Sequence, residues 1–330
     1  MIHTRHLFTL CTLCTLCTAT TLLLSTAAHA QTAYPVKPVR IIVPSAAGGG
    51  TDITARMLNM RFVEYLGQPF VVENRGGAAT MIGTELAARA VPDGYTLLMA
   101  SSALTVNPAM VRKMAYDATR DFAPISLVNT SPNVLVTHPA LPARNVKEFI
   151  ALAKARPDQI TYASSGVGSS LHLTMEYFLT AARIRMVHVP YKGSGPANID
   201  VIAGHAVALM GSMISVAPFI RDGRMRALGV TSAKRSAIAP NVPTIAETGV
   251  PGFESIQWYG LLAPAGAPRE VITKMNEAVV RAVREAAIRK RFAEDGVDPA
   301  GGTPEEFAAV IRSDIAKWHA VVKQAGIKPE

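Results

Sequence analysis

Beyond residue 30 the sequence has no cysteine, so the remaining chain is built without a disulfide framework, a CxxC redox pair or thiolate metal ligands. All three cysteines, Cys11, Cys14 and Cys17, lie in the repeat CTLCTLCT near the start. Around them the order is Arg5, an uncharged stretch from Leu7 to Thr26, then Ala28-His29-Ala30. Charged, apolar and small-residue segments in that order read as a secretory leader rather than a membrane anchor, with cleavage expected after Ala30. Residues 1–30 are thus expected to be absent from the mature, exported protein.

Other absences narrow the function. No later apolar run approaches the length of a membrane span. No serine sits in a G-x-S-x-G elbow and no H-E-x-x-H occurs, so neither common hydrolase signature is present. The later histidines, His138, His172, His188, His205 and His319, are too dispersed to suggest a metal centre. Net charge is +9, or +8 once Arg5 leaves with the leader, an excess that attracts anions broadly. It does not point to nucleic acid, because lysine and arginine are scattered and no aromatic-basic stripe appears. The densest basic run, Arg281 to Arg291, alternates with apolar residues at helical spacing and reads as a solvated helix face. No cofactor is expected.

What is present is alternation. The runs at Val39 to Val43, Phe70 to Val72 and Tyr95 to Met99 read as strands, with a helix from Ile53 to Leu66 between the first two. A second set follows: helix Val146 to Ala155, strand Ile160 to Ala163, helix Ser169 to Ala182, strand Met186 to Val189, helix Pro196 to Ala203, strand Val207 to Met210, helix Val216 to Asp222, strand Ala227 to Thr231. This order implies parallel sheets with helices on their faces. Ala123 to Pro139 breaks it as two apolar runs joined at Asn129 to Asn133. Extended chain at Ile256 to Leu262 then leads into helices over Arg269 to Asp295 and Thr303 to Gln324. The first of these carries an apolar stripe at Val271, Met275, Val279, Val283 and Ala287. Two crossings, near Ser126 to Ser131 and Glu254 to Gln257, suggest two lobes closing on a cleft: residues 31–130 with 255–330, and residues 131–254.

Each lobe carries the same local device. One strand runs into Pro44-Ser45-Ala46-Ala47-Gly48-Gly49-Gly50-Thr51-Asp52, and another into Ser164-Ser165-Gly166-Val167-Gly168-Ser169-Ser170. Both place glycine and hydroxyl residues at a helix start, where unpaired N–H groups and the helix dipole favour negative charge. Capping alone accounts for Thr51 or Asp52 and for Ser169 or Ser170, but not for three successive glycines. A phosphate loop would need lysine after its last glycine, whereas Gly50 is followed by Thr51-Asp52. Gly166-Val167-Gly168-Ser169-Ser170-Leu171 opens like GxGxxG but closes on leucine. His172, just inside the second helix, is either a packed residue or a ligand contact.

The motifs KPVRIIVPSAAGGGTDITARML, LGQPFVVENRGGAATMIGTELAARAVPDGYTLL, YASSGVGSSLHLTMEYF, VHVPYKGSGPANIDVIAGH and APNVPTIAETGVPGFE, in this order, resemble the Bug family of periplasmic solute receptors. These serve tripartite tricarboxylate transporters. The resemblance implies a two-lobed α/β periplasmic binding fold of the type II, Venus-flytrap kind, with doubly wound sheets and two crossover segments. It also implies a small carboxylate held between two loops acting as pincers, for delivery to membrane permease subunits by a monomeric receptor. One pincer maps onto Ser45, Gly48, Gly49, Gly50, Thr51 and Asp52, the other onto Ser164, Ser165, Gly168, Ser169 and Ser170, with His172 beside it. Ala78 to Thr80, including Ala79, together with Ser101, Ser102, Gly211 and Ser212 would complete the walls, and Tyr191 and Lys192 are weaker candidates.

Two departures stand out. Ser45-Ala46-Ala47 occupies positions where relatives carry an aromatic residue and prolines, and Val167 replaces a polar residue. A smaller, more mobile first pincer is expected, with room for an aromatic or longer carboxylate. The alternative reading is an exported α/β hydrolase-like enzyme acting on carboxylates, which would need an activated nucleophile that the sequence does not display.

Overall fold

Val39 to Val43 alternates little because strand β1 (Val39–Val43) is buried along almost its whole length, as a central parallel strand must be. In the computed structural model, which describes residues 34–236 and 239–327, it leads into α1 (Gly50–Leu66), β2 (Phe70–Asn74), a single 3-10 turn (Ala78–Thr80), α2 (Met81–Ala88), β3 (Thr96–Ser101) and α3 (Ala103–Met110). The expected leader, its cleavage point and the three cysteines lie outside the described residues. β4 (Phe122–Thr137) follows, then α4 (Val146–Ala155), β5 (Thr161–Ser164), α5 (Ser170–Ala182), β6 (Val187–Pro190), α6 (Ser194–Ala203), β7 (Ala208–Ser212), α7 (Met213–Arg221), β8 (Arg226–Val230) and α8 (Ile245–Thr248). The chain continues through β9 (Ile256–Pro264), α9 (Arg269–Arg284), α10 (Ala286–Glu294), the short β10 (Asp298–Pro299) and α11 (Pro304–Ala325).

The strand order is β2-β1-β3-β9-β4-β7-β5-β6, with β8 and β10 also on β4. β1 pairs in parallel with β2 and β3, and β5 in parallel with β6 and β7. The alternating runs form the expected parallel pairs, and the centre between them is antiparallel, with β9 running against β3 and β4, and β4 against β7 and β8. β4 is also one 16-residue strand, not two runs with a joint. Its residues through Pro132 pair with β9, and from Asn133 onward it pairs with β7. The polar stretch that resembled a loop is buried inside that strand: Asn129 donates to Thr54, and Thr231 Oγ1 accepts the Asn133 N–H at 2.8 Å.

Two further differences concern helices. The apolar stripe of α9 is buried at Val271, Met275, Val279 and Val283, but the helix breaks at Glu285 and leaves Ala287 exposed on α10. Glu285 has extended backbone there, and its carboxylate receives Arg61 at 3.0 Å and the Tyr65 hydroxyl of α1. The short helices α2 and α3 were not anticipated, since eight residues give too few turns for a clear period. Separate clusters, one around Phe149, Tyr162 and Phe178 and another around Leu98, Trp258 and Phe307, form cores beneath the two groups of parallel strands. No helix among the described residues is long and apolar enough to cross a membrane.

Candidate functional site

Four parallel strands, β1, β3, β5 and β6, each hand the chain to a helix at the same edge of the structure, where open α/β sheets place ligands. The N-terminal turns of α1, α3, α5 and α6 all line one cleft there, through Gly49, Gly50 and Thr51, Ser101 and Ala103, Ser169, Ser170 and Leu171, and Gly193 and Ser194. Pro44, Ser45, Gly77, Thr80, Ser165, Lys192, Gln257 and Tyr259 complete its lining. Among the described residues Lys192 is the one charged member of that lining. Four helix N-termini, whose dipoles favour negative charge, border a space with no carboxylate in its wall.

The first loop is shaped by three glycines with three different tasks. Gly48 has φ +79, a left-handed torsion that a side chain resists, and its N–H donates to Asp52 Oδ2 at 3.0 Å. Gly49 is the extended N-cap of α1. Gly50 touches the floor, since a Cβ there would collide with the Tyr259 hydroxyl and come within 2.8 Å of Ile214. Asp52 points away from the cleft, accepting also from Arg56 Nε and Asn74 Nδ2 at 3.0 Å. Burial alone would push its carboxyl up, but the hydrogen bonds from Arg56, Gly48 and Asn74 hold it below the ordinary range. The Ser45 hydroxyl is buried and has no hydrogen-bond partner among the described residues.

In the second loop Ser169 caps α5, accepting the His172 N–H, while Ser165, Ser169 and Ser170 line the cleft. Ser164 and His172 lie behind it. The Ser164 hydroxyl accepts the Gly166 N–H and is 2.6 Å from His188 Nε2, and His172 Nδ1 accepts the Gly168 N–H at 3.1 Å. The two imidazoles stack at 4.1 Å beneath the loop, and burial lowers each to a pKa of about 4. His172 is therefore a neutral acceptor that fixes the loop.

The remaining candidates separate. Ser101 lines the cleft, whereas Ser102 donates to Gln257 Oε1 at 2.6 Å, and Ser212 neighbours the Tyr259 phenol, which burial raises, and donates to Ser215. These two support the floor. Gly211 packs against Val216. Ala78 and Ala79 do not line the cleft but, with Thr80, have left-handed φ of +44, +52 and +79. Asn107 pins this strained turn by donating to the Ala79 carbonyl, which brings Ala79 beside Gly166 and Gly168. Gly193-Ser194, Gln257 and Tyr259 were missed. The signals were a third glycine-serine helix start in YKGSGP and a glutamine inside an otherwise apolar strand.

The space beside Ser45-Ala46-Ala47 is taken by neighbouring backbone. A Cβ on Gly193 would lie 2.8 Å from the Ala46 nitrogen, one on Gly195 would strike the Ala47 carbonyl, and one on Gly76 would lie 3.1 Å from both Ala46 N and the Lys192 carbonyl. The small residues are filled by the backbone before α6.

Residues 54–327 match the model of the tripartite tricarboxylate transporter family receptor. This chain belongs to that family. It is 40% identical over 299 residues to protein BugT of Bordetella pertussis, covering 89% of this chain and 91% of that protein. A solved periplasmic transporter shares 42% identity with a TM-score of 0.88, covering 90% of this chain and 99% of that one. The R. palustris protein Rpa4515, solved with adipate, shares 35% identity with a TM-score of 0.87, covering 90% of this chain and all of that one. The fold is the mixed α/β periplasmic binding fold, and the family is one of periplasmic transporter receptors, which bind solutes and are not enzymes. The hydrolase alternative falls with that membership.

Proposed function

We propose that the cleft captures a small organic carboxylate, which the receptor carries in the periplasm to the permease subunits of a tripartite transporter. The carrying observation is the convergence of four helix N-termini and Lys192 on a space whose lining contains no acidic side chain. The adipate found in Rpa4515 is consistent with that chemistry. Direct contacts fall to Ser45, Gly49, Gly50, Thr51, Ser101, Ser165, Ser169 and Ser170, while Gly48, Asp52, Ala78, Ala79, Ser102, Ser164, Gly168, His172, Gly211 and Ser212 shape and support them. Residues 31–130 with 255–330 act as one lobe and 131–254 as the other, hinged where β4 changes partners and β9 returns. The receptor acts as a monomer, released from its leader after Ala30.

Hydrogen bonds to a charged group contribute about 1.5–3 kcal/mol each. Several of them, less closure and ordering costs, reach micromolar binding near about −8 kcal/mol. A thermal-shift screen of mono- and dicarboxylates, aromatic acids and acidic amino acids tests the reading, because bound ligand raises the midpoint by mass action. Stabilisation by carboxylates is expected. Failure of every carboxylate beside stabilisation by sugars or nucleotides would overturn it.

A further inference from the structure

The first loop and the start of α6 meet beside the cleft as nearly bare backbone. Gly193 and Ser194 line the cleft from one side and Ser45 and Gly49 from the other, while Gly195 meets Ala47 outside that lining. A Cβ on Gly195 would sit 2.1 Å from the Ala47 carbonyl oxygen, well inside the 3.0 Å that side chains respect, and the obstacle is backbone that no rotamer change removes. Along the same seam a Cβ on Gly48 would lie 3.8 Å from the Gly195 Cα. Gly195 has no torsional reason to be glycine, since it lies within α6 and outside the left-handed region, where alanine is the better helix former. Gly193 differs, because its φ of +141 favours glycine whatever it touches. Among the described residues no hydrogen bond joins residues 45–48 to residues 193–196. Dispersion between so few atoms is weak, so the seam permits closure without driving it. Its two sides follow β1 and β6, on opposite sides of the central antiparallel strands.

We infer that Gly195 is a positioning residue for solute capture: having no side chain, it lets the start of α6 seat on the Ala47 carbonyl and so sets how far the two lobes close. This rests on the reading of residues 31–130 with 255–330 and of 131–254 as closing lobes. A methyl group at Gly195 acts as a wedge, holding the loops apart so that a solute engages the donors of one lobe and not both. The rival cause is local, because Pro196 disfavours helical torsions in a preceding residue that carries a Cβ.

The chain from residue 31 onward has no cysteine, so a pair introduced by Gly49→Cys and Ser194→Cys reports the seam alone. A Cβ on Gly49 would lie 3.5 Å from the Ser194 Cβ, within disulfide range. Cross-linking of the mature chain carrying this pair is followed on non-reducing gels, with and without adipate. The parent pair should cross-link, and adding Gly195→Ala should slow it by about tenfold or more, as an overpacked contact does. The urea midpoint of the solute-free chain should stay unchanged, and the loss should persist when Pro196→Ala is added to both. A parent pair that never cross-links, equal rates with and without Gly195→Ala, or a loss that Pro196→Ala restores overturns the inference while leaving the carboxylate reading intact. Failure of adipate and every other carboxylate to speed cross-linking or raise the parent's midpoint counts against the carboxylate reading, while the solute-free comparison still decides the role of Gly195.

Discussion

The two glycine loops have similar composition but are held by different physics. In the first, Gly50 is required by space, because Tyr259 and Ile214 fill the volume a side chain would need, and the loop is stapled by the charged group Asp52-Arg56-Asn74. In the second, Gly166 and Gly168 are required by torsion, with φ of +123 and +77, while a Cβ at Gly168 would find only an ordinary contact with Ala79 at 3.5 Å. That loop is held from below by neutral groups, His172 and Ser164. Two loops that read as copies of one device thus differ in what would break them.

The largest expected effect is in the first loop. Gly50→Ala forces the buried Tyr259 phenol out of place and should cost about 3 kcal/mol in urea unfolding, with carboxylate binding lost. Tyr259→Phe removes the atom in the tightest contact, so the double variant should recover part of the loss. Additive costs would show that the contact is not the cause. Asp52→Ala comes next. It strands the Gly48 N–H and one of the two Asn74 amide hydrogens, the other keeping the Ser45 carbonyl, and should cost about 2 kcal/mol. Because the carboxylate faces away from the cleft, affinities for different carboxylates should weaken by a common factor. A change in their ranking would put Asp52 in contact with ligand.

Most of the parallel frame was legible, because buried strands and amphipathic helices leave periodic patterns, and β1, α4 and α5 fall within a few residues of their expected bounds. β4 was not, since Asn129 and Asn133 are polar residues whose hydrogen bonds to Thr54, Thr231 and Ser255 come from partners that no local pattern reveals. Within the site, loop residues at helix starts were visible because glycine and serine there have a local reason. Tyr259 and Gln257 were hidden because their role depends on strand register, Tyr259 lying opposite Ser101 on β3 and Asn129 on β4. The meaning of Ala46 and Ala47 depended on Gly193 and Gly195, about 150 positions away in the chain.

Acid should separate the loops. Burial holds His172 at about 4 against 6.5, so the unfolded chain binds the extra proton first as pH falls. That stability is complete above about pH 6.5 and is lost between 6.5 and about 4, reaching roughly 2 kcal/mol by pH 5 for this side chain. The stacked His188 shifts the same way, whereas Glu176, 3.8 Å from His172 Nε2, favours the protonated ring, and the Tyr162 hydroxyl that bonds Glu176 is neutral throughout. Asp52 works in a lower window: its contribution is present above the ordinary carboxylate range and is lost as pH falls through it. Melting curves from pH 7 to 5 should therefore fall less steeply for His172→Gln than for the wild type, while Asp52→Ala should leave the slope in that window unchanged. Equal slopes for wild type and His172→Gln would remove the histidine from the account.

The smallest effect sharpens the contrast. Gly168→Ala meets no obstruction, so its cost is the left-handed torsion alone, about 1 kcal/mol. That is about a third of the Gly50→Ala cost, although both change one hydrogen to a methyl group in a glycine loop at a helix start. Gly168→Asn, whose side chain tolerates the left-handed region, should cost less than Gly168→Ala, whereas at Gly50 the larger residue must cost more. The same order of Ala and Asn at both positions in unfolding experiments would mean that torsion at Gly168 and space at Gly50 are not separate constraints.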